Sequence, residues 1–223
     1  MSEIKVELLD WMGNDLDIAN AARVSFNKES DEFTFRSDKP KGSDEGLIEY
    51  LANHDHWTPF AHTALKFRVS APVPIRTQCF KHKVGMVENE ESRRYISTRP
   101  EVYIPEFFRE KPEGSIKQGS AGKHRDSDLI SQEYTRCTQN SVDLYESMIT
   151  RGVCPEQARF VLPQGTIVNW IWTGNLMSFA NFFNKRTDPT AQKEVQDVAI
   201  IVGSLVKDIF PVSWKALTNK ENV

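Results

Sequence analysis

An α+β fold in a single domain, residues 1–223, is what the sequence predicts, and three observations point to it. Short strand-like segments at 4–9, 63–71 and 166–173 are separated by segments whose apolar residues recur at helical spacing. No stretch repeats another, and none has the composition of a linker. With 39% hydrophobic and 26% charged side chains, 223 residues suffice for one sizeable core.

Taken in order, "IKVELL" (4–9) alternates loosely and reads as a first strand. A short helix should begin after Asn14 and lead into Ser25, and the polar run 27–43 reads as loop. Leu47, Ile48, Leu51 and Ala52 predict a helix that "HDHWTPFAH" breaks. Leu65, Phe67 and Val69 alternate in a half-buried strand ending before Pro72. Pro74 opens a helix, "PIRTQCFKH", that delivers a charged loop, "FKHKVGMVENEESRRYIS" (80–97).

The polar, glycine-bearing segment 110–128 reads as a mobile loop and a candidate lid. A long helix follows, with Ile130, Tyr134, Cys137, Ser141, Leu144, Tyr145 and Met148 on one face and Gly152 as its stop. Pro155 starts a short helix, and "TIVNWIWT" is β-branched and aromatic enough for a strand. Residues 175–186 form a helix with Leu176, Phe179, Ala180 and Phe183 as its apolar arc, opposite Met177, Ser178, Asn181, Asn184 and Lys185. Asp188-Pro189 should open a last helix that Pro211 halts after Phe210.

A net charge of −3 and a pI near 6.0 exclude a general nucleic-acid binder, so any attraction for anions must be local. Cys79, Cys137 and Cys154 are scattered and form no CxxC pair, which suits a reducing compartment. The N-terminus "MSEIKVELLD" lacks the apolar core of a secretory signal, and we expect a cytoplasmic protein. Phe160 to Asn184 carries no charge, but Pro163, its glycines and its asparagines argue against a membrane span. Buried amides of this kind need hydrogen-bond partners in backbone, water or ligand.

The common phosphate cradles and a serine nucleophile elbow are missing, so an anion site must be assembled from Arg, Lys, Ser and loop amides. The charged loop can do this. Arg94 offers a planar fork for phosphate, Ser92 a donor, and Glu90 an acceptor for sugar hydroxyls. Arg159 and Arg186 stand at the edges of the uncharged stretch, where a cation is costly unless an anion pairs with it. His54, His56 and His62 could instead hold zinc, although H-x-H spacing without a helical H-x-x-x-H is a weak pattern. Cys154, followed by proline and without activating cations around it, is a poor nucleophile.

The residues that carry the anion site resemble a known family, the flavin-dependent thymidylate synthases. The charged loop is similar to that family's signature, an R-H-R triplet followed by serine within N-E-x-S-x-R-Y, here Asn89, Glu90, Glu91, Ser92, Arg93, Arg94 and Tyr95. The resemblance continues through "ARVSF" (22–26), "HWTPFAH" (56–62), "ARFVLP" (158–163) and "TGNLMSFANFFNKR" (173–186). Two departures stand out. The triplet is Lys81-His82-Lys83, with eight residues before Ser92 instead of seven, and Met177 occupies a position where the family often has arginine.

The resemblance implies a central, mostly antiparallel sheet flanked by helices. It implies reductive methylation of dUMP to dTMP, with 5,10-methylenetetrahydrofolate as methylene donor, FAD reduced by NADPH, no cysteine nucleophile and no metal. It places Gln78, Glu90, Glu91, Ser92, Arg93, Arg94, Arg159 and Arg186 at dUMP, with Arg186 and Ser92 as the catalytic pair. Arg94, Ser92 and Arg159 fall at the phosphate, Glu90 near the ribose and Arg186 at the uracil. Ser25, His56, Thr58, Lys81, His82, Lys83, Asn89, Glu90, Asn175 and Asn181 fall at FAD. It further implies a homotetramer whose sites are shared between subunits. A zinc hydrolase and a non-catalytic nucleotide-binding module are the rival readings.

Overall fold

The computed structural model describes residues 3–113 and 119–219. Four strands, β1 (Lys5–Met12), β2 (Ala64–Pro72), β3 (Met86–Glu90) and β4 (Ile167–Gly174), form one sheet in the order β1-β2-β4-β3. Every pairing is antiparallel. The helices are α1 (Asp15–Arg23), α2 (Asp44–Asn53), α3 (Thr58–Ala61), α4 (Val73–Cys79), α5 (Ser127–Thr150), α6 (Pro155–Ala158), α7 (Leu176–Arg186), α8 (Lys193–Lys207) and α9 (Pro211–Thr218).

Period-two alternation gives the sheet one apolar face. Leu65, Phe67, Val69 and Ala71 of β2 point the same way as Val168, Trp170 and Trp172 of β4, and all are buried. Against them lie Leu176, Phe179 and Phe182 of α7 and the Val195–Val206 stripe of α8. The opposite face carries Lys5, Glu7, Arg68, Ser70 and Asn169, with Glu7 and Arg68 paired across the strands at 3.0 Å. The α+β class and the antiparallel sheet are as expected.

The differences have physical causes. The charged loop contains a strand that sequence patterning missed. β3 reads MVENE and buries only Met86, because it is an edge strand with a single neighbour and needs no apolar pattern. The helix before it ends at Cys79, three residues short of His82. β1 continues to Met12 across a bulge between Leu8 and Asp10. β2 runs through Pro72, the residue from which α4 starts.

Pro211 does not end the last helical segment but opens α9 as its first residue. Asp15 of α1 caps it, accepting from Val212 N and Ser213 N at 2.9 Å each. Asp188-Pro189 forms a local turn closed on Thr190, and α8 begins only at Lys193. The buried face of α5 is Thr138, Val142 and Tyr145, leaving the expected Cys137 and Leu144 exposed. On α7, Ser178, expected opposite the apolar arc, is buried, and Phe182 is buried more fully than Phe183. Residues 114–118 of the candidate lid lie outside the described residues. No described helix is long and apolar enough to cross a membrane.

Candidate active site

The turn into β3 is fixed by two glycines. Gly85 has φ +69°, and a Cβ there would sit 2.3 Å from Ser178 Oγ. A Cβ on Gly174 would meet Met86 Cγ at 2.9 Å, so its absence lets β3 close against the end of β4. Ser178 Oγ then donates to Val84 O at 2.8 Å, tying the turn to α7.

β3 leads directly to a cleft of about 410 Å³ between α4 and the Arg159–Gln164 segment. Glu90, Glu91, Ser92 and Arg93 form one wall, Val73 and Arg76 the second, and Arg159, Leu162, Pro163 and Gln164 the third. Three guanidiniums thus meet two carboxylates. Arg76 Nε lies 3.2 Å from Glu90 Oε2. Glu91 extends the strand pairing, its amide donating to Asn169 O at 2.9 Å and its carboxylate accepting from Asn169 Nδ2 at 3.0 Å. Burial pushes the Glu90 carboxyl up, and Glu91 adds to this, while Arg76 and Arg159 oppose it.

Ser92 O accepts from Tyr95 N and Ile96 N, turning the chain sharply, and Tyr145 Oη of α5 donates to Ile96 O at 3.1 Å. Arg93 Nη1 donates to Thr98 O. Two buried polar atoms at this wall, Glu91 Oε1 and Arg93 Nε, have no hydrogen-bond partner among the described residues, so an acceptor and a donor are left for a ligand. Arg94 and Arg159 are gathered by one residue. Arg94 Nε is 3.6 Å from Glu156 Oε2, and Arg159 Nε donates to Glu156 O at 3.2 Å.

A second cluster lies at the C-terminal end of α4. Arg186 Nε donates to His82 Nε2 at 2.9 Å, and His82 meets the Phe182 ring edge-on at 5.0 Å. Burial, then the charges of Arg186 and Lys185, pull His82 down to about 4, so the imidazole is neutral and its proton sits on Nδ1. Gln78 Nε2 donates to Gln192 Oε1 at 2.7 Å. Burial pushes the enclosed Cys79 thiol up to about 12, which makes a thiolate there inaccessible.

The structure therefore brings Glu90, Glu91, Ser92, Arg93 and Arg159 into one cleft, with Arg94 at its rim. Gln78 and Arg186 do not line that cleft. Of the remaining residues, Asn89 is exposed on β3 and Asn181 on α7. Lys83 pairs with Glu88 and lies over the Phe80 ring, while Lys81 is exposed. Asn175 caps α7, accepting from Ser178 N at 2.9 Å. Ser25, His56 and Thr58 sit on the one-turn segment after α1 and at the start of α3. That helix adjoins α7 through Leu176 N, which donates to Thr63 Oγ1 at 2.9 Å. His54 stacks on Tyr50, and among the described residues no group of three His, Cys, Asp or Glu side chains is placed to hold a metal.

Sequence reading missed Arg76, Glu156 and Gln192. Arg76 did carry a signal, as the one charged residue on a short helix. The other two act only through contacts that local pattern does not encode.

A family model described as thymidylate synthase complementing protein matches residues 7–212. The chain belongs to the flavin-dependent thymidylate synthase family. The family's curated members include the flavin-dependent thymidylate synthase of Thermosipho africanus, 35% identical over 216 residues that cover 95% of this chain and 89% of the relative. The Thermus thermophilus enzyme of the same name is 34% identical over 211 residues, covering 95% and 74%. Among solved structures, a UMP/dUMP methylase PolB from Streptomyces cacaoi bound with 5-Br dUMP superposes with a TM-score of 0.84 at 29% identity, covering 97% of this chain and 95% of that one. The same methylase bound with 5-Br UMP gives 0.85 at 28% identity, covering 98% and 95%. The flavin-dependent thymidylate synthase fold is thus the fold of this chain.

Proposed function

We propose that this chain methylates dUMP reductively to dTMP, taking the methylene from 5,10-methylenetetrahydrofolate and reducing equivalents from NADPH. The observation that carries the reading is the cleft beside β3, where Ser92, Arg93 and Arg159 meet the half-buried carboxylates Glu90 and Glu91. A nucleoside monophosphate supplies what this wall lacks. Its phosphate dianion pairs with Arg94 and Arg159, and planar forks suit its oxygens. Glu90, an acceptor already held by Arg76, receives a ribose hydroxyl. Arg186 lies against the uracil, where a fixed guanidinium stabilises charge developing on the pyrimidine oxygens. Ser92 and Arg186 are the groups we assign to catalysis.

The residues also fit FAD. A dinucleotide needs cations for its pyrophosphate, amide donors and apolar faces for its rings. Exposed Lys81, Asn89 and Asn181 accompany exposed Val84 and Val87, and exposed Phe26 and Trp57 flank Ser25, His56 and Thr58. Lys83, His82 and Asn175 complete the set. FAD supplies the hydride chemistry when bound; the chain binds, orients and polarises. Cys79, buried and held protonated, offers no nucleophile to the pyrimidine.

The separation of Gln78 and Arg186 from the cleft is accounted for by a homotetramer in which one subunit's cleft is completed by another's α4–α7 cluster. Tyr95 and Phe160, 78% and 77% exposed around the cleft, suit burial by a second copy. The three unbridged cysteines suit a cytoplasmic enzyme, and the whole chain acts as one domain.

Purified protein should show the visible absorption of bound flavin and form dTMP from dUMP only when the folate and NADPH are present. Protein that takes up no flavin at saturating FAD would overturn the reading.

A further inference from the structure

We propose that Glu194 fixes the hydrogen-bonding polarity of Gln78 through Gln192, so that Gln78 presents its carbonyl oxygen to the pyrimidine and the site selects uracil over cytosine. The proposal rests on the reading that Gln78 touches the nucleotide.

Glu194 stands in the first turn of α8 and is 5% exposed. Burial raises its carboxyl, but the bonds from Arg109 and Gln192 outweigh burial and hold it below the usual range. An ionised carboxylate accepts and never donates. Arg109 Nη2 donates to both of its oxygens, at 2.7 and 2.8 Å, and Gln192 Nε2 donates to Oε2 at 2.9 Å.

That one-way group orders everything after it. Gln192 must turn its NH2 towards Glu194 and its oxygen away, and that oxygen accepts from Gln78 Nε2 at 2.7 Å. Gln78 is left with its own Oε1, which accepts from no group among the described residues, and one remaining N–H. Flipping Gln78 alone would set its oxygen against that of Gln192. Flipping both would set the Gln192 oxygen against the Glu194 carboxylate. Arg109 carries only donors, so the far end cannot reverse either.

Gln78 therefore ends the relay as an acceptor beside a donor. Arg186 reaches the same end of α4: it bonds His82, four residues after Gln78, and its charge acts on Cys79, the residue that follows Gln78. Uracil carries an N–H at N3 flanked by carbonyl oxygens and matches this edge. Cytosine carries a lone pair at N3 beside an amino group and meets it with acceptor against acceptor and donor against donor. A site whose polar groups are fixed in this way rejects the mismatched ring far more strongly than a freely rotating amide does.

The test is equilibrium binding of dUMP and dCMP to the flavin-loaded protein, in the natural sequence and in Gln192→Met and Glu194→Gln. Gln192 is exposed, so its replacement keeps the fold and the Glu194–Arg109 pair. The natural protein should prefer dUMP by about a hundredfold or more, and Gln192→Met should cut that preference by about tenfold. Glu194→Gln, which allows either amide orientation, should cut it too if the variant folds. An unchanged preference in Gln192→Met, with dUMP still bound, overturns the relay and leaves the thymidylate synthase reading standing. Equal weakening of both nucleotides also overturns it, since a merely structural role acts on both alike. A natural protein that binds flavin but neither nucleotide removes the functional reading itself.

Discussion

The two charged clusters differ in how their cations are held. At the β3 cleft, Arg94 and Arg159 are gathered loosely by Glu156, and the neighbouring wall keeps a buried acceptor and a buried donor without partners among the described residues. At the end of α4, Arg186 and Gln78 are already oriented by neutral His82 and by Gln192. The first region is built to be completed by an anion, the second to present a preset pattern to a ring. Binding energy should therefore come mostly from the first, and selectivity from the second.

The sharpest way to break this contrast is to remove a cleft cation. Arg159→Ala should weaken dUMP binding by about 2–5 kcal/mol, the cost of leaving a partner charge uncompensated in a partly dry site. Arg94→Ala should cost less, about 1 kcal/mol, because its side chain is half exposed and water replaces much of what is lost. Titration calorimetry with dUMP and with deoxyuridine checks both values. If deoxyuridine affinity fell as far as that of dUMP, the cleft would not be the phosphate site.

The two regions also differ in how far the sequence disclosed them. Arg159 and Arg186 were legible because a cation bordering 25 uncharged residues needs an anion, and that argument is purely local. β4 and α7 were legible because their burial patterns are regular. β3 was not, since an edge strand bearing Glu88 and Glu90 has no apolar period to detect. α9 was hidden because proline marks both ends and beginnings of helices, and only Asp15, nearly the whole chain away, decides which. The Gln78–Gln192 bond joins residues 114 positions apart, and no local pattern announces such a pair.

A smaller effect tests whether the clusters are mechanically joined. Gly85 holds the turn that connects the α4 end to β3, at a φ that side chains rarely adopt and with Ser178 and Asn175 where a Cβ would go. Gly85→Ala should lower stability by about 1–3 kcal/mol. By displacing β3, it should weaken dUMP more than the base-selective ratio of dUMP to dCMP. Chemical denaturation gives the first number and paired binding titrations the second. A variant of normal stability would mean that the turn is not strained, and that β3 finds its place without it.

The smallest expected effect is a pH dependence that belongs to the α4 cluster alone. His82 is held at about 4 in the folded protein, below the ordinary 6.5, by burial and by the charges of Arg186 and Lys185. Between those values the unfolded chain binds the proton that the folded chain refuses. Stability contributed by the neutral ring is therefore complete above about 6.5 and declines as the pH falls towards 4. Replacing the ring by His82→Gln keeps an acceptor for Arg186 Nε while removing the titration, so the melting temperature should fall less steeply over that window than in the natural protein. The cleft groups give the internal control. Glu90 is raised by burial, so its proton favours the folded state as the pH falls and opposes the His82 trend. An unaltered slope in His82→Gln would mean that the imidazole does not stand neutral beside Arg186, and the preset character of the second region would have to be given up.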